Sequence, residues 1–65
     1  MTLNEFMKCV DRKNRIEILQ GEELRTVKKD TYLNKVSKNT HITYGESSII
    51  NITAVRWRLI QVTIE

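Results

Sequence analysis

Apolar residues recur along this chain at two different spacings. Leu3, Phe6, Met7 and Val10 stand at i, i+3, i+4 and i+7, which stacks them into one stripe on a helix. Thr2-Leu3-Asn4-Glu5 has the capping-box pattern, in which the Thr hydroxyl accepts from the Glu5 backbone N–H and the Glu carboxylate reaches back to the backbone of Thr2. Together they predict an amphipathic helix over about residues 2–10, ended where Asp11-Arg12-Lys13-Asn14 breaks the period.

Strand-like alternation follows. RIEILQ, GEE and LRTVKK read as strand, turn and strand, with Ile16 and Ile18 on one face and Gly21 supplying the turn. TYLNKVSK, residues 31–38, carries Tyr32, Leu33 and Val36 as a narrower stripe and reads as a second short helix. Asp30 can cap it and Asn39 can stop it. Lys35 and Lys38 then fall near its C-terminal end, where the helix dipole favours cations. THITYGESS reads mainly as loop around Gly45, and IINITAVRWRLIQVTIE closes the chain as a β-branched hairpin. The elements predict an α+β fold: short N-terminal helix, β-hairpin, short helix, C-terminal β-hairpin, with a mainly antiparallel sheet and helices on one face. Residues 1–65 read as a single small domain, without repeats, low-complexity stretches or proline.

The second hairpin poses a register problem. Ile60, Val62 and Ile64 alternate toward the core, and Leu59, Gln61 and Thr63 away from it. Extended backward, that register puts Arg56 and Arg58 with the core set, where an unpaired arginine does not belong. Either the strand starts at about residue 59, leaving residues 55–58 as the hairpin loop, or a bulge reverses the register. The loop reading exposes Arg56 and Arg58 and turns Trp57 toward a sheet edge or solvent. In the preceding strand Ile50, Ile52 and Ala54 face the core, and Ile49 and Asn51 face away. Ile49, Val55, Trp57 and Leu59 could then form a second apolar patch on the open face of the sheet. Rimmed by arginines, such a patch has the residue types of an interface hot spot. The competing reading folds Trp57 back to complete a small core.

Size makes that second reading serious, because a chain of 65 residues hides only about 60% of its unfolded surface. Self-association into a homodimer would support so thin a core. The single cysteine, Cys9, cannot form an internal disulfide and reads as a small buried hydrophobe beside the apolar helix face, consistent with a reducing compartment. The N-terminal residues lack the basic and apolar regions of a signal peptide, and no apolar run approaches the ~20 residues that span a bilayer. A cytoplasmic protein with no membrane partner is the expectation. Asn51-Ile52-Thr53 matches a glycosylation sequon but lies within a strand pattern.

The formal net charge of +3 is unevenly spread. Residues 1–30 hold seven Lys/Arg and six Asp/Glu, whereas residues 31–64 hold Lys35, Lys38, Arg56 and Arg58 against Glu46 alone. A basic half can footprint on phosphate or on an acidic protein groove, or simply keep a small protein solvated. The chemistry that would indicate catalysis is missing. One His and one Cys are too few for a structural zinc site. His41 reads as a loop histidine, Gly21 and Gly45 stand too far apart for a phosphate-cradling loop, and Glu22-Glu23 reads as a solvated turn. Ser47-Ser48 has no base identifiable from sequence. No enzyme activity, cofactor or metal is expected.

A short capped helix (MTLNEFMKCVDRKNRIEI) leading into one hairpin, with a terminal IINITAVRWRLIQVTIE as a second, resembles small accessory proteins of Gram-positive prophages and mobile elements. Among these it is similar in size and style to anti-CRISPR proteins that inhibit Cas9-type effectors. The resemblance spans most of the chain, rests on layout and carries no site residues with it. It implies a non-catalytic inhibitor in a bacterial host cell, bound to a Cas effector protein, to its guide RNA, or to both. Eight acids against eleven bases cannot present a DNA-like surface. Such an inhibitor would therefore use a protein groove or Lys/Arg contacts to the guide RNA or heteroduplex backbone. The residues expected to bind are Arg56, Trp57 and Arg58 of the second hairpin, with Lys28, Lys29, Lys35 and Lys38. Two rivals stand beside this: a general single-stranded nucleic-acid-binding module, weak and non-specific, and a structural or oligomerising protein of a mobile element.

Overall fold

The computed structural model describes residues 1–65. In chain order these form α1 (Leu3–Cys9), β1 (Arg15–Gln20), β2 (Arg25–Tyr32), a 3-10 turn (Leu33–Lys35), α2 (Lys38–Tyr44), β3 (Ile49–Arg56) and β4 (Leu59–Ile64). The strands make one sheet in the order β2-β1-β4-β3. Both hairpins, β1–β2 and β3–β4, are antiparallel, and they meet at a parallel seam between β1 and β4. The chain thus adopts the small α+β fold and mainly antiparallel sheet expected of it.

The capping box forms as its residues dictate. The Glu5 N–H donates to the Thr2 hydroxyl at 3.2 Å, and the Thr2 N–H donates to the Glu5 carboxylate at 2.8 Å. Val10 leaves the helix with extended backbone. The Asp11 carboxylate then accepts from the Lys13 N–H at 2.9 Å, which fixes the loop into β1. Leu3, Phe6 and Met7 bury their stripe against Ile16 and Ile18 of β1 and Val62 and Ile64 of β4. Each such side chain contributes about 1.5–3 kcal/mol by leaving water. Cys9, outside the stripe, is exposed and not the buried hydrophobe anticipated.

The second helix is not where the Tyr32, Leu33, Val36 stripe placed it. β2 runs on through Tyr32, only Leu33–Lys35 turn, and α2 occupies Lys38–Tyr44, within the segment read as loop. Its cap is Ser37, whose hydroxyl accepts from the Thr40 N–H at 3.2 Å. Asp30 instead pairs with Arg15 at 2.7 Å. Lys38 therefore begins α2, the end that disfavours cations, and Asn39 lies inside the helix instead of ending it. Leu33 and Val36 are buried as their spacing implied, but Tyr32 is 54% exposed. No residue of α2 is buried, so no apolar stripe marked it in advance. Contacts through Asn4 hold α2 to α1, beginning with its backbone N–H, which donates to the Gly45 carbonyl at 2.9 Å. A Cβ on Gly45 would collide with the Asn4 side chain and the His41 carbonyl, so only glycine fits there. His41, on α2 and not in a loop, donates from Nδ1 to Asn4 Oδ1 at 3.0 Å.

β3 corrects the other part of the core expectation. Ile52 and Ala54 pair with Val62 and Ile60 and so share the helix-side face, but the core reaches only as far as Ile49 on this strand. Ile52 and Ala54 are exposed, as is Ile50 at a shift in register between Ile49 and Asn51. Ile49, expected to face away, pairs with Ile64 and packs against the core.

Candidate binding surface

The second hairpin turns at Trp57-Arg58 and β4 begins at Leu59, as the loop solution required, but β3 continues through Arg56, so the turn is two residues and not residues 55–58. Arg58 takes φ 59°, in the left-handed region that such turns usually fill with Gly, Asn or Asp. The register slips between Ala54 and Arg56, as happens when a hairpin closes through a left-handed residue and a bulge. Trp57 is 78% exposed, and the Arg58 guanidinium lies 4.4 Å from the centre of its ring. Stacking of this kind contributes about 0.5–1 kcal/mol at an exposed site. The apolar patch imagined on the open face does not form, because Leu59 is buried and Ile49 joins the core. The large exposed apolar side chains of this hairpin are Ile50, Ile52, Val55 and Trp57, all on β3 or its turn.

Register places the tip among neighbours that are distant in sequence. Tyr32 pairs with Arg15, Arg15 with Leu59, and Leu59 with Arg56, so one row crosses all four strands at this end of the sheet. Paired residues share a face, so Tyr32 and Arg56 flank the row on the helix-free side. The Arg15 N–H donates to the Arg58 carbonyl at 2.6 Å, and the Leu33 N–H to the Asn14 carbonyl at 3.0 Å, which ties the loop before β1 to both neighbours. Beside Tyr32, an open cleft is lined by Arg12, Lys13, Asn34 and Lys35. Arg12 also lines the adjoining groove that holds Lys8 and His41.

Charge separates by sheet end and not by half of the sequence. Arg12, Lys13, Lys35, Arg56 and Arg58 gather at the end just described. The molecule's one ion pair, Arg15–Asp30, uses neither those five cations nor any acid beyond Asp30. Glu22 and Glu23 occupy the turn at the far end of the first hairpin, and Glu65 follows β4 beside Gln20, whose side chain donates to the Glu65 carbonyl at 3.2 Å. The six residues of β1 hold these ends about 17 Å apart. Between them, on the helix-free face, the Gln61 amide donates to the Glu17 carboxylate at 2.8 Å.

Of the residues singled out from sequence, Arg56, Trp57, Arg58 and Lys35 come to this end. Lys28 and Lys29 lie in mid-strand on β2, at the opposite edge from β3 and about 14 Å across the sheet. Lys38 begins α2. Arg12, Lys13 and Tyr32 were not legible as site residues, since Tyr32 read as a helix residue and nothing local links positions 12, 32 and 57. No protein-family model, curated protein or solved structure matches the chain.

Proposed function

We propose that this chain is a non-catalytic binding module whose working surface is the hairpin tip Arg56-Trp57-Arg58. Its proposed partner is a nucleic-acid-loaded effector of the Cas9 kind, the partner implied by the layout it resembles. One observation carries the reading: the only tryptophan stands 78% exposed at a turn tip, under an arginine held in left-handed backbone. Burying such a ring would return about 1.5–3 kcal/mol or more to a small domain. Trp and Arg together are the residues most often found anchoring interfaces. Left-handed backbone at a bulky side chain costs ~1–2 kcal/mol, and such strain gathers at functional positions.

The test is capture of a guide-loaded Cas9-type effector by the immobilised protein, with free RNA and DNA as competitors. The parent chain should retain the loaded complex and Trp57→Ala should not, while the variant stays folded and melts no more than about 8 °C below the parent, the cost of the lost stack. Equal retention by both would remove the tip from the account.

A second reading, self-association, draws support from β3. This edge strand is eight residues long, has seven exposed positions and carries no lysine, proline or acid. Long apolar edges of that kind pair with other strands unless guarded. Sedimentation over a range of concentrations tests it: a dimer abolished by Ile52→Lys would favour it, and a monomer throughout would reject it.

A further inference from the structure

We infer that the end of the sheet bearing Tyr32 and Trp57 is a binding site for the phosphate backbone of a short single-stranded nucleic acid. In it Arg12, Lys13 and Lys35 contact phosphates, and the two rings offer stacking faces. This deepens the reading of the tip by naming the ligand at the same end, and it rests on that reading only for the role of Trp57.

Three observations converge. The first is charge without partners: Arg12, Lys13 and Lys35 line one cleft with no acidic side chain in its wall, and none forms an ion pair. Asp11, the nearest acid in sequence, is occupied by the Lys13 backbone N–H at 2.9 Å. The second is the placement of the rings. Tyr32 ends β2 and Trp57 precedes β4, and the row Tyr32–Arg15–Leu59 separates the strands that carry them by two strand spacings, about 10 Å. Tyr32 is 54% exposed, with its cleft-lining position beside the cations. The third is the local charge balance: of the two carboxylates near this end, Asp30 is paired with Arg15 at 2.7 Å and Asp11 accepts from the Lys13 N–H, while Glu22, Glu23 and Glu65 are held at the other end of the strands.

Cations beside exposed aromatic faces are what a single strand requires: the backbone follows the positive charge and unstacked bases lie on the rings. A duplex keeps its base faces covered and would use only the cations. An acidic peptide would likewise leave the rings idle.

The experiment titrates the full chain into a fluorescein-labelled oligo(U) of about 12 nucleotides, read by anisotropy. Salt runs from about 20 to 200 mM. With four or five phosphates neutralised, log affinity should fall against log salt with a slope near −3. Arg12→Ala/Lys13→Ala/Lys35→Ala should lower affinity at least about tenfold and flatten the slope by about 2. Tyr32→Ala should lower affinity about fivefold or more with the slope unchanged, as loss of one stacked base predicts. Arg25→Ala, at the acidic end, should change neither. All these side chains are exposed, and circular dichroism of each variant checks that the fold is kept.

The inference is overturned by absence of binding at the lowest salt, or by a triple variant indistinguishable from the parent. It is equally overturned if polyglutamate or phosphatidylserine vesicles displace the oligonucleotide as well as unlabelled oligo(U) does, since the end would then be a general acid-binding surface. Oligo(U) binding without effector capture rejects the proposed partner alone. Effector capture without oligo(U) binding rejects this inference alone.

Discussion

The two ends of the sheet are built by the same four strands and are opposite in character. One end closes on Gly21–Leu24, with Glu22 and Glu23 in the turn and Glu65 beside it. The other closes on Trp57-Arg58 and gathers Arg12, Lys13, Lys35 and Tyr32 around it. The parallel seam is the cause. Because β1 and β4 run the same way, the loop that enters β1 and the turn that enters β4 must lie side by side. β2, antiparallel to β1, finishes at the same end and delivers Tyr32 and the turn that follows it. Topology thus joins cations from a stretch of near-balanced charge to the arginines of the last hairpin.

The two edges differ as well. β2 breaks its register twice and carries Arg25, Lys28, Lys29 and Asp30, features that discourage pairing with another strand. β3 has none of those charges short of Arg56 and shows Ile50, Ile52 and Val55 to solvent. The guarded edge adjoins the basic cleft, and the unguarded one leads to the tryptophan tip.

The largest expected effect tests the frame that keeps the ends apart. Phe6 anchors α1 in the core cluster. Phe6→Ala should cost about 3–5 kcal/mol in denaturant unfolding, most of the stability of so small a domain. A melting point moved by only a degree or two would show that α1 does not hold the sheet, and the geometry of both ends would lose its basis.

A smaller effect separates the two turns. Leu24 and Arg58 both take left-handed backbone, at φ 55° and 59°. Leu24 is an exposed apolar side chain, whereas the Arg58 guanidinium stacks on Trp57. Leu24→Gly should therefore stabilise the fold by about 0.5–1 kcal/mol as steric strain is relieved in excess of glycine's entropy cost. Arg58→Gly, which also loses the stacked pair, should come out within about 0.5 kcal/mol of the parent. Equal stabilisation by both changes would show that the Arg58–Trp57 stack contributes nothing to the tip.

The smallest effect lies at the start of α1. The Thr2 backbone N–H, and after it the Thr2 hydroxyl, holds the Glu5 carboxyl below its ordinary pKa of 4.5. Its contribution is complete above that ordinary value and is lost as pH falls through the lowered one. Glu5→Gln keeps the capping pattern without the charge. Its stability should therefore decline less steeply on the acid side of pH 4.5, as measured by urea unfolding at stepped pH. An unchanged acid limb would remove Glu5 from the pH response.

Legibility in the sequence followed the strength of local signals. α1 could be read because a capping box and a stripe agree, the first hairpin because alternation and Gly21 agree, and the second from its β-branched alternation alone. α2 was hidden because none of its residues is fully buried and only Tyr44 packs against the core: Ser37, Gly45 and the His41–Asn4 bond hold it, and none of these has a period. Tyr32 misled because its spacing to Leu33 and Val36 fits a helix, while its place in the sheet is fixed by pairing with Arg15 across the first hairpin. The tip was legible from the conflict between Arg56, Arg58 and a core register. The cleft was not, because its residues meet only through tertiary pairing.

The central claim is that the tip is both exposed and set in positive surroundings, and Trp57 is its own reporter as the only tryptophan. Quenching of its emission by iodide and by caesium, at matched low ionic strength, tests both parts at once. An exposed tip in positive surroundings should give a water-like, red-shifted emission, stronger quenching by the iodide anion than by the caesium cation, and a Trp57→Ala variant that stays folded and melts no more than about 8 °C below the parent. A blue-shifted emission protected from both quenchers, together with a collapsed melting point in Trp57→Ala, would place the ring in the core and contradict it.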